Sequence, residues 1–301
     1  MTTITSDAAV SAAPRNRRAA GNLRRTLRTG RGRVGLTLVV IVVAAAAIGP
    51  FVTPSPPDTT EGIFFSPASS RFWLGTDVLG RSVLARVLDG GWVLLIMATA
   101  ATVIGVGLGA IIGMSAAYFR GRIDTVLMRT VDILLAFPQI VLVLLLISVV
   151  GSKLWLIVLA VAFSHLPAVA RVIRSASIDV TERDFIASDE AIALRRTRIL
   201  FGEVLPNVVS PLMVESGLRL AWSTAIIAGL SLLGFGQAPP APGWGEMIYE
   251  NISGISTNPW GVLAPALMIA ALTIGVNTLT DAFARVSMGS DRGALQIERF
   301  Q

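Results

Sequence analysis

The sequence predicts an all-α membrane protein with six transmembrane helices and both termini in the cytoplasm, and three observations carry that expectation. Hydrophobic residues make up 53% of the 301 positions and charged residues only 15%, whereas soluble domains run near a quarter charged. Mean hydropathy is correspondingly high, at +0.70. Six stretches are long and apolar enough to cross a hydrocarbon core of about 30 Å at about 1.5 Å per residue. With the N-terminus placed inside, twenty Arg fall in interior segments; Arg71, Arg81, Arg86 and Lys153 fall outside, and Arg219 lies within a span.

Residues 1–33 read as a disordered, basic cytoplasmic tail suited to touching anionic lipid. Eight arginines there face one acid, Asp7, and no aromatic side chain offers a stacking platform, which argues against nucleic acid as a partner. Arg24 and Arg25 before an apolar run fit a twin-arginine export signal, but the rest of the chain is itself membrane-embedded, so a first spanning helix from Val34 to Val52 is expected. An exterior segment, 53–91, leads to the second span, Val93 to Ala117. Gly105, Gly109 and Gly113 recur there at every fourth position, a smooth stripe that lets another backbone approach. The remaining spans are expected from Ile133 to Val150, Leu154 to Ala170, Val208 to Leu233 and Trp260 to Ala282. Pro138, Pro167, Pro211 and Pro265 fall inside them, each removing a backbone donor and able to kink its helix. The membrane domain thus covers 34–285, and 286–301 forms an interior C-terminal tail.

The interior loop 174–207 is too charged to span, and its periodicity is helical. Phe185, Ile192 and Ile199 recur every seven residues, as do Ile186, Ala193 and Leu200, with Ser188, Asp189, Arg195 and Arg196 opposite. One amphipathic helix or two short ones against the membrane face would follow, serving either to dock a soluble partner or as an interfacial linker. In the fifth span Glu215 and Arg219 stand one turn apart and can form an ion pair, lining a polar path or neutralised at a subunit contact.

Catalytic readings find little support. Cysteine is absent, His165 is the only histidine, and no metal-ligand set is apparent. Ser164 beside His165 does not make a hydrolase, because nucleophile and base are rarely useful as sequence neighbours and GLSLLG from Gly229 is not a nucleophile elbow. A buried, hydrogen-bonded His165 is the ordinary expectation. The only lysine, Lys153, sits in VGSKLW between two spans, so the chain has no Walker A loop.

Four ordered blocks carry a family resemblance. DFIASDEAIALRRTRILFGEVLPN, Asp184 to Asn207, resembles the "EAA" loop of permease subunits of ATP-binding-cassette importers. Leu205, Pro206 and Asn207 match its end; Ala187, Ser188 and Asp189 occupy the Glu-Ala-Ala positions and Ala193 the family's glycine, with Asp189 or Glu190 able to substitute for the acid. LGTDVLGRSVLAR (Leu74 to Arg86), DILLAFP (Asp132 to Pro138) and LSLLGFGQAPPAPGWGEM (Leu230 to Met247) narrow the likeness to the C-type permeases of the dipeptide, oligopeptide and nickel family.

The resemblance implies a type I importer transmembrane domain with a cytoplasmic coupling helix. It implies a homologous second permease, two ATPase subunits that hold ATP and Mg, and an extracytoplasmic substrate-binding protein. No cofactor is expected on this chain. Short peptides are the implied cargo, nickel or another small solute of the same family the second choice, and a pore-only channel the alternative from another class. ATPase coupling falls to Asp184, Phe185, Ala187, Ser188, Asp189, Glu190, Ala193, Arg195, Arg196, Leu205 and Pro206. Glu215, Arg219 and Pro138 are the candidates for the substrate path. Docking of the binding protein is expected at Asp77, Arg81, Arg86, Trp244 and Glu246, in exterior segments that could equally be caps anchored by Trp73, Trp244 and Trp260.

Overall fold

The computed structural model describes residues 16–53, 56–237 and 240–298. Among these residues every regular element is a helix. The chain opens with α1 (Asn16–Thr26) and α2 (Gly30–Val52); Thr29 caps α2, its side chain accepting from the Gly32 amide. Part of the predicted tail is therefore helical: Asn22 and Thr26 are buried, and α1 lies on the last helix of the chain. Residues 1–15 of that tail lie outside the described residues.

The segment after α2 ends in α3 (Val83–Asp89), which runs into α4 (Gly91–Phe119) with only Gly90 between them. Helix α4 packs most extensively on α7 (Leu154–Thr181), and the glycine stripe explains why. A Cβ at Gly105 would stand 2.6 Å from the Ala162 carbonyl, and one at Gly113 would stand 2.5 Å from that of Ala170. Only hydrogen fits between these backbones.

The third span departs from the single helix expected. It is broken into α5 (Gly121–Leu135) and α6 (Gln139–Val150), bent by 90° at Ala136–Pro138. Pro138 ends up at the break, as the residue before α6, instead of inside a helix. Two forces produce this: proline cannot donate its amide, and α5 carries Arg122, Asp124, Arg129 and Asp132, too polar for the membrane centre. At 12 residues, α6 reaches about 18 Å, about half a bilayer.

Helix α7 runs eleven residues beyond the predicted end, Ala170, because Arg174 pairs with Asp124 through two bonds of 2.5 and 2.6 Å. Arg171 likewise pairs with Asp132. Residues 184–207 then form α8 (Asp184–Ala191), α9 (Arg196–Arg198), a π-helical turn (Ile199–Val204) and α10 (Leu205–Asn207). Helix α11 (Val209–Leu232) leaves this segment at 74°. After α12 (Trp244–Asn251), α13 (Trp260–Glu298) carries the sixth span through most of the predicted C-terminal tail. Among the described residues four helices are long and apolar enough to cross a membrane alone, and up to six spans result when each bent pair counts as one.

Buried apolar side chains form two cores. The first gathers Leu94, Ala98 and Ala101 of α4 with Ile157 and Val161 of α7 and Ile226, Ile227 and Leu230 of α11. The second gathers Val106, Ala110 and Met114 with Val169, Ile173 and Val180, and with Ile186, Ile199, Leu200 and Val204 from the segment 184–207. Thr102 on α4 and Ser164 and His165 on α7 sit between the two, so a polar layer crosses the bundle where the apolar sets meet.

Candidate functional site

The segment 184–207 is two helical pieces turned about one residue. Ala193 has φ +56°, in the left-handed region, and ends α8. The Ala193 amide donates to Glu190 (2.9 Å) and the Leu194 amide to Asp189 (3.1 Å), the paired bonds of a Schellman stop. A glycine would adopt this φ without Cβ strain, which is the physical meaning of the glycine position that Ala193 occupies. The seven-residue repeat therefore does not continue as one face: Ile186, Ile199 and Leu200 are buried, while Ile192 is 71% exposed.

What this leaves facing outward is a polar surface. Asp184, Ala187, Ser188, Glu190, Ala193, Arg195 and Arg196 are exposed; Phe185, Asp189, Leu205 and Pro206 are half-buried. Two contacts tie the surface to the end of α4. Tyr118 shares a cleft with Glu190, burial and that carboxylate together pushing its hydroxyl above the usual phenol pKa, and the Arg196 guanidinium lies 5.5 Å from the centre of the Phe119 ring. A cleft of about 480 Å³ opens between α4 and α8, lined by Tyr118, Arg120, Glu182, Asp184, Ala187 and Glu190. Sequence reasoning had no signal for Tyr118 or Phe119, which lie about 70 residues before the segment they anchor.

Along α11, Glu215, Arg219 and Ser223 recur at every fourth position and share a face. Glu215 is buried and accepts from Arg219 at 2.9–3.0 Å, so the expected ion pair forms. From Ser223 the polar chain leaves α11. His165 Nε2 lies 2.8 Å from Ser223 Oγ, which is 3.0 Å from Thr102 Oγ1. On its other side His165 Nδ1 is 2.7 Å from Gln139 Nε2, and the same amide donates to Ser164 at 3.0 Å. Pro138 immediately precedes Gln139, which reaches Ser223 of the α11 stripe through His165. Gln139 escaped notice in the sequence because a lone glutamine opening an apolar run carries no pattern.

The residues expected to receive a partner are mostly internal. Asp77 is 0% exposed, Arg81 1%, Arg86 0% and Trp244 1%. Asp77 Oδ2 accepts from Arg81 Nε and Arg86 Nη1 at 2.6 Å each; Glu250 Oε2 accepts from Arg81 Nη2 and Arg86 Nη1 at 2.8 Å. Asp77 Oδ1 takes the amides of Leu79 and Arg81, and the flanking Gly75 and Gly80 have φ of +73° and +74°. Trp244 donates to the Val87 carbonyl at 2.8 Å, and Glu246, half-buried, accepts from the Gln237 amide. Four of the five residues expected to dock a binding protein therefore lie inside the cap built on α12, with Glu246 half-buried beside them. They knit this cap together because a charged turn so close to α12 is stable only when its charges are paired. Trp73 remains 72% exposed.

Three kinds of likeness to known proteins accompany this geometry. Residues 105–287 match the family described as binding-protein-dependent transport system inner membrane component. A putative peptide transport system permease protein of Brucella suis is 33% identical over 259 residues, covering 86% of this chain and 87% of the relative. The dipeptide transport system permease protein of Alkalihalophilus pseudofirmus is 32% identical, covering 82% of both chains, and the glutathione transport system permease protein of Pectobacterium atrosepticum 34% identical, covering 71% of both. In structure, the chain resembles an inward-facing form of the MetNI methionine ABC transporter, with a TM-score of 0.53 at 19% identity, over 64% of this chain and 92% of that one.

Proposed function

The chain belongs to the binding-protein-dependent transport system inner membrane component family, as a permease subunit of an ATP-binding-cassette importer, and from that premise we propose that it carries short peptides into the cell. The observation that carries the cargo assignment is the likeness, across more than four fifths of both chains, to permeases named for peptide and dipeptide transport. In this reading the chain forms the path with a homologous second permease. An extracytoplasmic binding protein delivers the peptide, and both termini of this chain lie in the cytoplasm, as the arginine distribution supports.

Energy enters through the exposed side of residues 184–207. Two ATPase subunits, holding ATP and Mg, dock there and close on nucleotide; the motion passes through Glu190 to Tyr118 and through Arg196 to Phe119 at the foot of α4. Because α4 is locked to α7 along the glycine stripe, both helices move together. Switching then requires only that ATP-bound partners favour one arrangement over the other. Glu215 and Arg219 line the path, where a zwitterionic peptide meets one charge of each sign.

The test is reconstitution of this chain with and without its partner subunits in vesicles. ATP-dependent uptake of di- and tripeptides is the expected result. Uptake of nickel with no peptide transport would replace the cargo, and flux without ATPase subunits would make the chain a channel.

A further inference from the structure

Helix α6 holds to the bundle chiefly through α7, and its polar fastening is concentrated at its first residue, Gln139. The proton inventory of the surrounding chain runs one way. Thr102 donates to the Ala98 carbonyl at 2.7 Å, so Ser223 donates to Thr102 and accepts from His165 Nε2. His165 Nδ1 is then bare and accepts from Gln139. Ser164 donates to the Val161 carbonyl at 2.7 Å, which leaves its oxygen to accept the second Gln139 amide proton. Each donor has one acceptor, and the chain binds α6, α7, α11 and α4 through a single imidazole.

The two ends differ in what breaking them costs. His165 and Ser223 are fully buried and Thr102 is 5% exposed, so a donor orphaned there loses its partner with no water to replace it. Gln139 is half-buried and adjoins the exposed Ala136, Phe137 and Pro138 of the helix break, where water can take over its bonds. Release is cheap at the Gln139 end alone.

We propose that Gln139 and His165 are positioning residues of the transport cycle. His165 is a two-ended bolt: its Nε2 end stays fixed to Ser223, and its Nδ1 end holds or releases the outer half of the broken third span as the path switches. The ion pair of Glu215 and Arg219 contacts solute in the reading above; Gln139 and His165 act instead on where α6 stands.

The chain has no cysteine, so spin labels can be placed at Ile140→Cys on α6 and Trp222→Cys on α11, both exposed, in the assembled importer in vesicles. Gln139→Met keeps the length and removes both donors. It should broaden and lengthen the label distance distribution and lower peptide uptake per ATP about tenfold, with peptide KM within about twofold of the parent, since the loss of one or two such bonds is worth about a decade in rate. His165→Gln, which can still reach Ser223, should loosen α6 in the same way. His165→Asn, which can still accept from Gln139, should leave the α6 distance unchanged. An unchanged distribution in Gln139→Met overturns the proposal, as does a raised KM at unchanged turnover, which would make these residues solute contacts. Should the His165 variants fail to assemble, half-buried Gln139→Met decides alone. The uptake arm rests on the peptide reading and the distance arm does not, so a wrong cargo and a wrong bolt are distinguishable.

Discussion

Replacing Asp77 by Asn separates an internal clamp from a docking surface. Asp77 accepts four bonds at 2.6–2.9 Å while fully buried. In Asp77→Asn the amide oxygen can keep the Leu79 and Arg81 backbone donors, but its NH₂ then faces Arg81 Nε and Arg86 Nη1. Two charge-assisted bonds are lost, at about 1.5–3 kcal/mol each, and both guanidinium groups are left to Glu250. That sum agrees with the roughly 3–5 kcal/mol that breaking a buried ion pair costs. At about 2–4 °C per kcal/mol for a chain of this size, the loss is a drop of about 10 °C in Tm. The assay is thermal unfolding of the assembled complex in detergent, followed by size-exclusion chromatography, beside a binding-protein titration. Parent-like thermal stability with lost receptor binding would refute the clamp and assign these side chains to docking.

Three further outcomes follow from the same geometry. Gly105→Ala places a methyl group against the Ala162 carbonyl and should destabilise by about 1–3 kcal/mol, whereas Gly107→Ala, with open space at its Cβ, should be neutral or stabilising; heat inactivation of the complex compares them directly. Ala193→Gly should preserve ATP-driven uptake, while Ala193→Val, β-branched at φ +56°, should cost about 1–3 kcal/mol locally and reduce uptake per ATP hydrolysed. Tyr118→Phe removes the hydroxyl that faces Glu190 in the cleft between α4 and α8, and should lower coupled uptake several-fold with little change in peptide KM.

Much of this was legible in the primary sequence for identifiable reasons. Apolar length gave the spans, because a bilayer demands about twenty residues of a helix whatever else they do. The Gly105, Gly109 and Gly113 spacing announced a helix contact, and Glu215 and Arg219 announced their pair, because both depend only on the period of one helix. What stayed hidden depends on partners distant in sequence. The break at Pro138 needs knowledge of where the charges of α5 find Arg171 and Arg174. Burial of Asp77, Arg81 and Arg86 depends on Glu250, more than 160 residues later. His165 read correctly as a hydrogen-bonded core histidine, but its role as the junction of four helices required Gln139, Ser223 and Thr102 to be seen together.

The turn at Ala193 shows how a departure from a family pattern can leave geometry intact. The helix stops where the family's glycine would stop it, with both Schellman bonds formed, although the residue is alanine. The local fold is therefore specified by the surrounding segment, chiefly the burial of Ile186 before the turn and Ile199 and Leu200 after it.

Whether residues 184–207 face a nucleotide-hydrolysing partner is decided most directly by cross-linking. Ile192 is 71% exposed at the tip of this segment, and the absence of other thiols makes Ile192→Cys a unique site for a photoactivatable probe. In the assembled importer the probe should cross-link to an ATPase subunit, with a yield that changes on adding ATP, and should react only with reagents that enter the cytoplasm. Labelling from the exterior by an impermeant reagent, or no cross-link to an ATPase in a complex that transports, would contradict the account.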